Sequence, residues 1–395
     1  MLMAGGVSSR TVLPRTPPNE SNLMMAGRPS SCSYVAFASS RVLSTGSIVG
    51  QAVGVAAALC NKHATTPRDV AKHHAQECQQ MILRQDGHIP GVVNEDQNDL
   101  ARRAVVMASS QWRLEFPNAE NDRELKLPHA QLFPVSSNRI ERVELQLESQ
   151  LDRAVELRLG LRPAAHVWDF RAAQDIALAR ATVPAHHRGW LAFNLIAKVE
   201  PEKLYYVYTS AQPGISWKVF KDGDGQPNRC PVGTTAANLR GGKTWRAMTG
   251  GQSLALRLAP ESKPYTATNI ISGTNRPDKW TNIWISDPQA SLPQWVELRW
   301  SSTQHFNTVQ LTFDTDQNRR VTLPLFRYPD CVKDYRLEYQ ARAGWKTLAE
   351  VKDNYVRRRI HRFDIVHSES VRLIVLATNG APSARVYEVR IYRED

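Results

Sequence analysis

Two glycines four residues apart, Gly50 and Gly54, lie in the run Gly50-Gln51-Ala52-Val53-Gly54-Val55-Ala56-Ala57. Upstream stands the bend Ala26-Gly27-Arg28, with Ser33, Phe37, Arg41 and Gly46 between. The order reads as a short strand, a glycine bend, a loop and the glycine-rich start of a helix. A helix start presents backbone N–H groups with no intrahelical partner and the positive end of the dipole. It suits a phosphate or an electron-rich carbonyl edge. Gly50 and Gly54 would let a flat ligand lie close to the backbone. A plain Gly/Ala helix buried in a core is the bland reading, and a lone Gly-x-x-x-Gly is common. The ordered series of Ala26, Gly27, Arg28, Arg41, Gly46, Gly50, Gln51, Ala52 and Gly54 argues for ligand contact. No catalytic acid or base stands out.

Other reactive groupings carry less. Gly241-Gly242-Lys243-Thr244 looks like the end of a phosphate loop, but the glycine required five residues before Gly242 is Ala237. Asp222 and Asp224 begin a calcium-loop pattern that fails at Gln226 and Pro227. His73-His74 and His186-His187 are neighbours, which do not converge on one metal from a single helix face. No metal site is expected. The five cysteines, Cys32, Cys60, Cys78, Cys230 and Cys331, include no C-x-x-C pair and suggest no disulfide framework. The net charge is +12, yet the one dense basic run is Arg357-Arg358-Arg359 and no nucleic-acid motif accompanies it. No nucleic-acid partner is expected.

The elements that must position these residues change character along the chain. Leu23-Met24-Met25-Ala26 suits a buried strand stopped by Gly27. A helix should begin near residues 44–47 and run to about Lys62. A second is marked by Thr66 as cap, Pro67 at the first position and Asp69 in a capping-box-like place. Its face would be Val70, His74, Cys78, Met81 and Ile82, with Gly87 as its stop. From about Ala104 the period becomes two. Val143, Leu145 and Leu147 alternate with polar residues, as do Val155, Leu157, Leu159 and Leu161, then Leu191, Phe193 and Leu195, then Leu204, Tyr206 and Tyr208. A later block repeats the pattern at Val296, Leu298 and Trp300, at Val309, Leu311 and Phe313, and at Val371, Leu373 and Val375. Short alternating strands between turns predict antiparallel sandwiches. No Gly/Ser linker separates the blocks, so they should pack together. The most apolar stretch, residues 48–60, is too short to span a bilayer. Residues 1–10 hold no apolar run of the kind a signal peptide needs. The chain reads as soluble, and its compartment stays open.

The first segment resembles the closing part of the FAD-binding domain in bacterial FAD-dependent oxidoreductases related to heterodisulfide reductase. In that family a strand ending in Ala-Gly-Arg precedes a Gly-Gln-Ala-x-Gly helix lying against the flavin. The matching residues are Ala26, Gly27 and Arg28, then Gly50, Gln51, Ala52 and Gly54, and the likeness runs on through Thr66-Pro67 to Ile89-Pro90-Gly91. It implies FAD as cofactor and hydride transfer between an unknown small-molecule or carbohydrate substrate and the flavin. The family also brings an iron–sulfur association, which the cysteine spacing does not support. The family's pyrophosphate-binding G-x-G-x-x-G turn is missing here, since Gly223 and Gly225 are followed by Asn228. The resemblance therefore implies a truncated flavin segment that does not hold FAD alone. Leu23, Met24, Met25, Ile48, Val53 and Val55 would then form an open apolar patch.

The last block resembles the discoidin, or coagulation-factor type C, jelly roll. The residues that carry this are Asn269-Ile270-Ile271-Ser272-Gly273, Arg276, Trp284, Pro293-Gln294-Trp295-Val296-Glu297-Leu298, residues 335–339, Trp345 and Glu388-Val389-Arg390-Ile391-Tyr392. Members bind carbohydrate or membrane surfaces through end loops, which makes Trp280 and Trp284 candidates for stacking on a sugar. Tryptophan is more often buried, and a core role for both is the plainer reading. The expected layout is mainly β: a flavin-domain remnant over 1–103, a β-sandwich over 104–258 and a discoidin-like β-sandwich over 259–395. The alternative to an FAD-dependent oxidoreductase is a non-enzymatic carbohydrate- or surface-binding protein with a vestigial flavin segment.

Overall fold

A computed structural model describes residues 21–27, 33–34, 42–116, 119, 121–221, 232–237, 243–247, 252–315 and 327–394. Helix α1 (Leu43–His63) buries Ala52, Val55, Ala56 and Leu59, the i, i+3, i+4, i+7 stripe of a helix with one covered face. Left-handed Ala64 ends it, and the N–H groups of Ala64 and Thr65 return to the carbonyls of Asn61 and Cys60. Thr66 Oγ1 accepts from the Asp69 N–H at 3.3 Å, and Pro67 opens α2 (Pro67–His73). The single helix expected next is broken at His74, where α3 (Ala75–Arg84) begins. Its apolar face survives the break. The His74 N–H still bonds Val70 O and its carbonyl still accepts from Cys78, so the period passes through. Val70, Cys78 and Ile82 join the α1 residues in one cluster. Gly87 follows Asp86 (φ 66), and a Cβ there would overlap the Ile82 side chain and carbonyl.

The expected strand at residues 22–27 does not form. Met25 makes an isolated bridge and Leu23 is half exposed. A buried strand needs neighbouring backbone to satisfy its polar groups, and no described strand runs beside it. The expected apolar patch is also smaller: Val55 is core and Met24 packs against the helical cluster.

Among the described residues, the middle of the chain is a sandwich of two antiparallel sheets, each of six strands. Strand Arg142–Ser149 points Val143, Leu145 and Leu147 inward, facing Leu157, Leu159 and Leu161 of Val155–Ala164 across the core. In Lys203–Thr209 it is Tyr205 and Val207 that enter this core, not Leu204 and Tyr206. Those two lie on the outer face with Phe170, Val167 and Trp280. That face is covered because the C-terminal sandwich docks there: the Val167 N–H bonds Asp278 O and the Asp278 N–H bonds Trp280 O, each at 3.0 Å.

Among the described residues, the C-terminal sandwich is one seven-stranded sheet folded over itself, in the order Trp284–Ile285, Arg385–Tyr392, Gln294–Phe313, Arg358–Thr378, Val332–Ala341, Gly344–Val351, with Val105–Ala108 off this path. The two long strands serve both layers. Their pairing shifts register between Arg299 and Gln304 and again between Phe306 and Thr308, where the ladder bends. Val296, Leu298, Leu311, Phe313, Leu373 and Ile391 fill the space between. Strand Val105–Ala108 pairs with residues 296–299 of this sheet. A boundary at residue 104 therefore cuts a strand from its own sheet. Residues 104–112 belong with the C-terminal sandwich, tied by the Ser109 and Trp112 N–H bonds to the Trp295 and Ile285 carbonyls, whereas Leu114 and Phe116 pack into the core of the middle sandwich.

The helical segment is clasped to that sandwich. Asp86 receives Arg357 Nε at 2.9 Å and Asn275 Nδ2 at 2.7 Å, while Arg357 also donates to the carbonyls of Phe313 and Asn275. Arg84 pairs with Glu394 and lies over the Tyr392 ring at 4.3 Å, and Arg358 donates to Arg84 O. The basic run at 357–359 is thus spent largely on internal partners.

Candidate functional site

The glycine series of the first segment divides by helix geometry. Gly50 and Gly54 lie on the exposed side of α1, opposite the buried stripe, and a Cβ built at each meets nothing within 4 Å. Ala52 points the other way and is core, so it does not face a ligand. Gln51 is turned sideways, its Nε2 donating to Gln85 Oε1 at 3.3 Å, which ties α1 to the end of α3. Gly46 and Gly27 come together. A Cβ on Gly46 would stand 4.0 Å from Gly27 Cα, and Gly27 has φ 76, a conformation that favours glycine. The bend at Ala26-Gly27 therefore rests on the first turn of α1. Val42 offers no side-chain cap there, and the first turn carries no acid. Arg28 and Arg41 lie outside the described residues, as do Cys32, Cys230, the 222–225 turn and Gly241-Gly242.

Tested against a flavin, the residues present fit one edge of the group. The glycine face is open surface, with no side chain between the α1 backbone and a ligand, and a helix start to which Val42 gives no side-chain cap favours electron-rich atoms. They do not supply a pyrophosphate turn, because the chain holds no G-x-G-x-x-G. Among the described cysteines, Cys60, Cys78 and Cys331 are free thiols. Burial pushes Cys78 up to about 11 and Cys331 up to about 12, which holds both as unreactive thiols.

The two candidate tryptophans fare differently. Trp284 is fully buried in the C-terminal core, with its Nε1 donating to Ser110 O at 2.9 Å. It has no face to offer a sugar, because its short strand lies at the sheet position covered by residues 100–112. Trp280 is half-buried at the junction of the two sandwiches and donates to Asn269 Oδ1 at 3.1 Å.

Sequence reasoning missed a cleft of about 720 Å³ between residues 113–116, the strand Arg142–Ser149 and residues 256–262. Arg113, Glu115, Arg142, Glu144, Arg257 and Glu261 line it. Arg113 pairs with Glu261 at 3.1 Å and Arg142 with Glu144 at 3.2 Å, while Arg257 lies over the Trp190 ring at 4.0 Å. These residues come from segments far apart in the chain, and no local spacing announces them.

The fold and site together define a mainly β protein of two sandwiches carrying a helical segment with an open glycine face. The family model for FAD dependent oxidoreductase matches residues 7–82. No curated protein matches the chain. Among solved structures, the family 32 carbohydrate-binding module of Streptococcus pneumoniae EndoD is 20% identical, with 33% of this chain and 87% of that chain covered and a TM-score of 0.28. The family 32 module of Clostridium perfringens NanJ, in complex with galactose, is 15% identical, covering 33% of this chain and 86% of its own, with a TM-score of 0.27. No described helix is long and apolar enough to cross a membrane.

Proposed function

We propose that this chain supplies the flavin-edge segment of an FAD-dependent oxidoreductase, mounted on two β-sandwiches, and that the pyrophosphate turn comes from outside residues 1–395. The observation that carries this reading is the open Gly50/Gly54 face beside the Gly27–Gly46 contact, within the segment matched by the family model. When bound, the flavin supplies hydride transfer. This chain's part is to hold one edge of the ring system against α1 and to exclude water from that side. With the adenosine and pyrophosphate contacts absent, most of the enclosing surface is absent too, and affinity follows enclosure.

The purified chain should therefore be colourless and should not be stabilised by added FAD. A stoichiometric flavin band in the chain alone would overturn the need for a complementing turn. Co-expression with a polypeptide carrying the G-x-G-x-x-G unit should restore the yellow colour. Gly50→Leu and Gly54→Leu, both facing open space, should then lose it without unfolding the helix. Retained flavin in both variants would remove the flavin edge itself.

The cleft favours a second reading, in which the middle sandwich binds a carbohydrate. Its paired Arg and Glu side chains offer donors and acceptors for hydroxyls in a volume that fits a small saccharide. On a glycan array, Arg113→Ala should weaken retention, whereas Trp280→Ala, outside the cleft, should leave it unchanged. Unchanged retention with Arg113→Ala would exclude the cleft.

A further inference from the structure

We propose that His63, His74 and Glu77 form a binding site for one divalent d-block cation of the zinc class. Three elements deliver them. His63 is the last residue of α1, His74 is the joint between α2 and α3, and Glu77 lies in the first turn of α3. The left-handed turn at Ala64 and the short α2 fold the chain back, so that residues eleven apart become neighbours. His63 Nε2 lies 2.8 Å from Glu77 Oε2, and His74 Nδ1 lies 3.4 Å from the same oxygen. The three candidate ligand atoms all fall within 4.8 Å of one another.

Two imidazole nitrogens and one carboxylate oxygen are a donor set for zinc, nickel, cobalt or copper, whereas magnesium and calcium take oxygen ligands. The side chains are 29%, 29% and 30% exposed, which leaves the remaining coordination positions open to water. Lys62 Nζ sits 2.7 Å from the other carboxylate oxygen and orients Glu77 without occupying Oε2. The two rings are stacked, with centroids 4.0 Å apart and planes 16° apart. A cation must lie in the plane of each ring, so binding requires one ring to turn away from the other. A bound cation would then staple the end of α1 to the start of α3.

The test is titration of the full-length chain, free of any polyhistidine tag, with zinc chloride, with magnesium chloride as the hard-cation control. One zinc should bind with an affinity that falls at least about tenfold in each of His63→Ala, His74→Ala and Glu77→Gln. His73→Ala, next in sequence but outside the cluster, should bind as the parent does. Cobalt should give visible bands in the parent that His63→Gln abolishes, and far-ultraviolet circular dichroism checks that the helices persist. Zinc affinity unaltered by all three substitutions, or no zinc uptake by the parent, would overturn the proposal.

Discussion

His361 shares a 2.9 Å hydrogen bond with the Tyr335 hydroxyl inside the C-terminal sandwich. Burial, helped by the Arg359 charge, pushes its imidazole down to about 4 from an ordinary 6.5. Unfolded His361 takes up its proton near the ordinary value, so its contribution to stability is present above about pH 6.5 and is lost as pH falls toward 4. Asp99 works in the opposite sense. It caps a short turn, accepts from the Ile391 N–H at 3.0 Å, and is pushed by burial up to about 6 from 3.8. Its contribution is present at low pH and is lost as pH rises through about 6, by at most about 3 kcal/mol. The two slopes oppose each other between about pH 4 and pH 6. Urea unfolding across that range should show, relative to the parent, a stability in His361→Gln that falls more steeply with rising pH, and one in Asp99→Asn that falls more steeply with falling pH. Slopes equal to the parent's in both variants would contradict this. At the same scale, Trp284→Ala should cost about 3–5 kcal/mol by leaving a cavity, while half-buried Trp280→Ala should cost less; thermal melts rank the two. The Thr66 cap, the Gly27 bend and the Gly87 stop were legible because each answers to local backbone geometry. The burial of Trp284 was not, because it depends on residues 100–112, which lie far away in sequence.

Helix α3 and the strand starting at Arg358 meet at the Asp86–Arg357 clasp. Asp86 is the carboxylate facing Arg357, which is itself buried and donates to two carbonyls. Asp86→Ala leaves a buried guanidinium without its counter-charge, a change that costs about 3–5 kcal/mol. Replacing both partners, Asp86→Asn with Arg357→Leu, removes the charge together with the need for it and should cost less, and chemical unfolding midpoints separate the two. Equal losses would mean that the carbonyl bonds, not the ion pair, hold the clasp. In sequence, Arg357-Arg358-Arg359 read as a basic run because charge is counted along the chain. The partner stands 271 positions away, beyond the reach of any periodicity. The break at His74 escaped for a related reason: the backbone ladder carries the apolar face across it, so the residue pattern shows one helix where there are two.

Across the whole molecule, the two-residue alternation was enough to read antiparallel sandwiches, because one buried face demands it. It could not show that the last sandwich is a single folded-over sheet, nor that it recruits Val105–Ala108 from beyond residue 104. A fragment starting at residue 104 also loses the Trp300 Nε1 bond to Leu100 O and the Asp99 bond to Ile391. It should melt about 5–10 °C below one starting at residue 75, which keeps both and the clasp. Equal melting temperatures would restore the boundary at 104. The placing of Arg385–Tyr392 has a consequence for biosynthesis. This strand fills the slot between Trp284–Ile285 and Gln294–Phe313, so it is needed in the middle of a sheet whose other members leave the ribosome first. At ordinary translation speed, about 5–20 residues per second, the roughly 70 residues after Phe313 take several seconds to appear. Throughout that interval the Gln294–Phe313 edge stands open, an unpaired template for any other strand. Nascent chains arrested before residue 385 should therefore be held by chaperones or aggregate, whereas chains arrested with residue 394 clear of the exit tunnel should not.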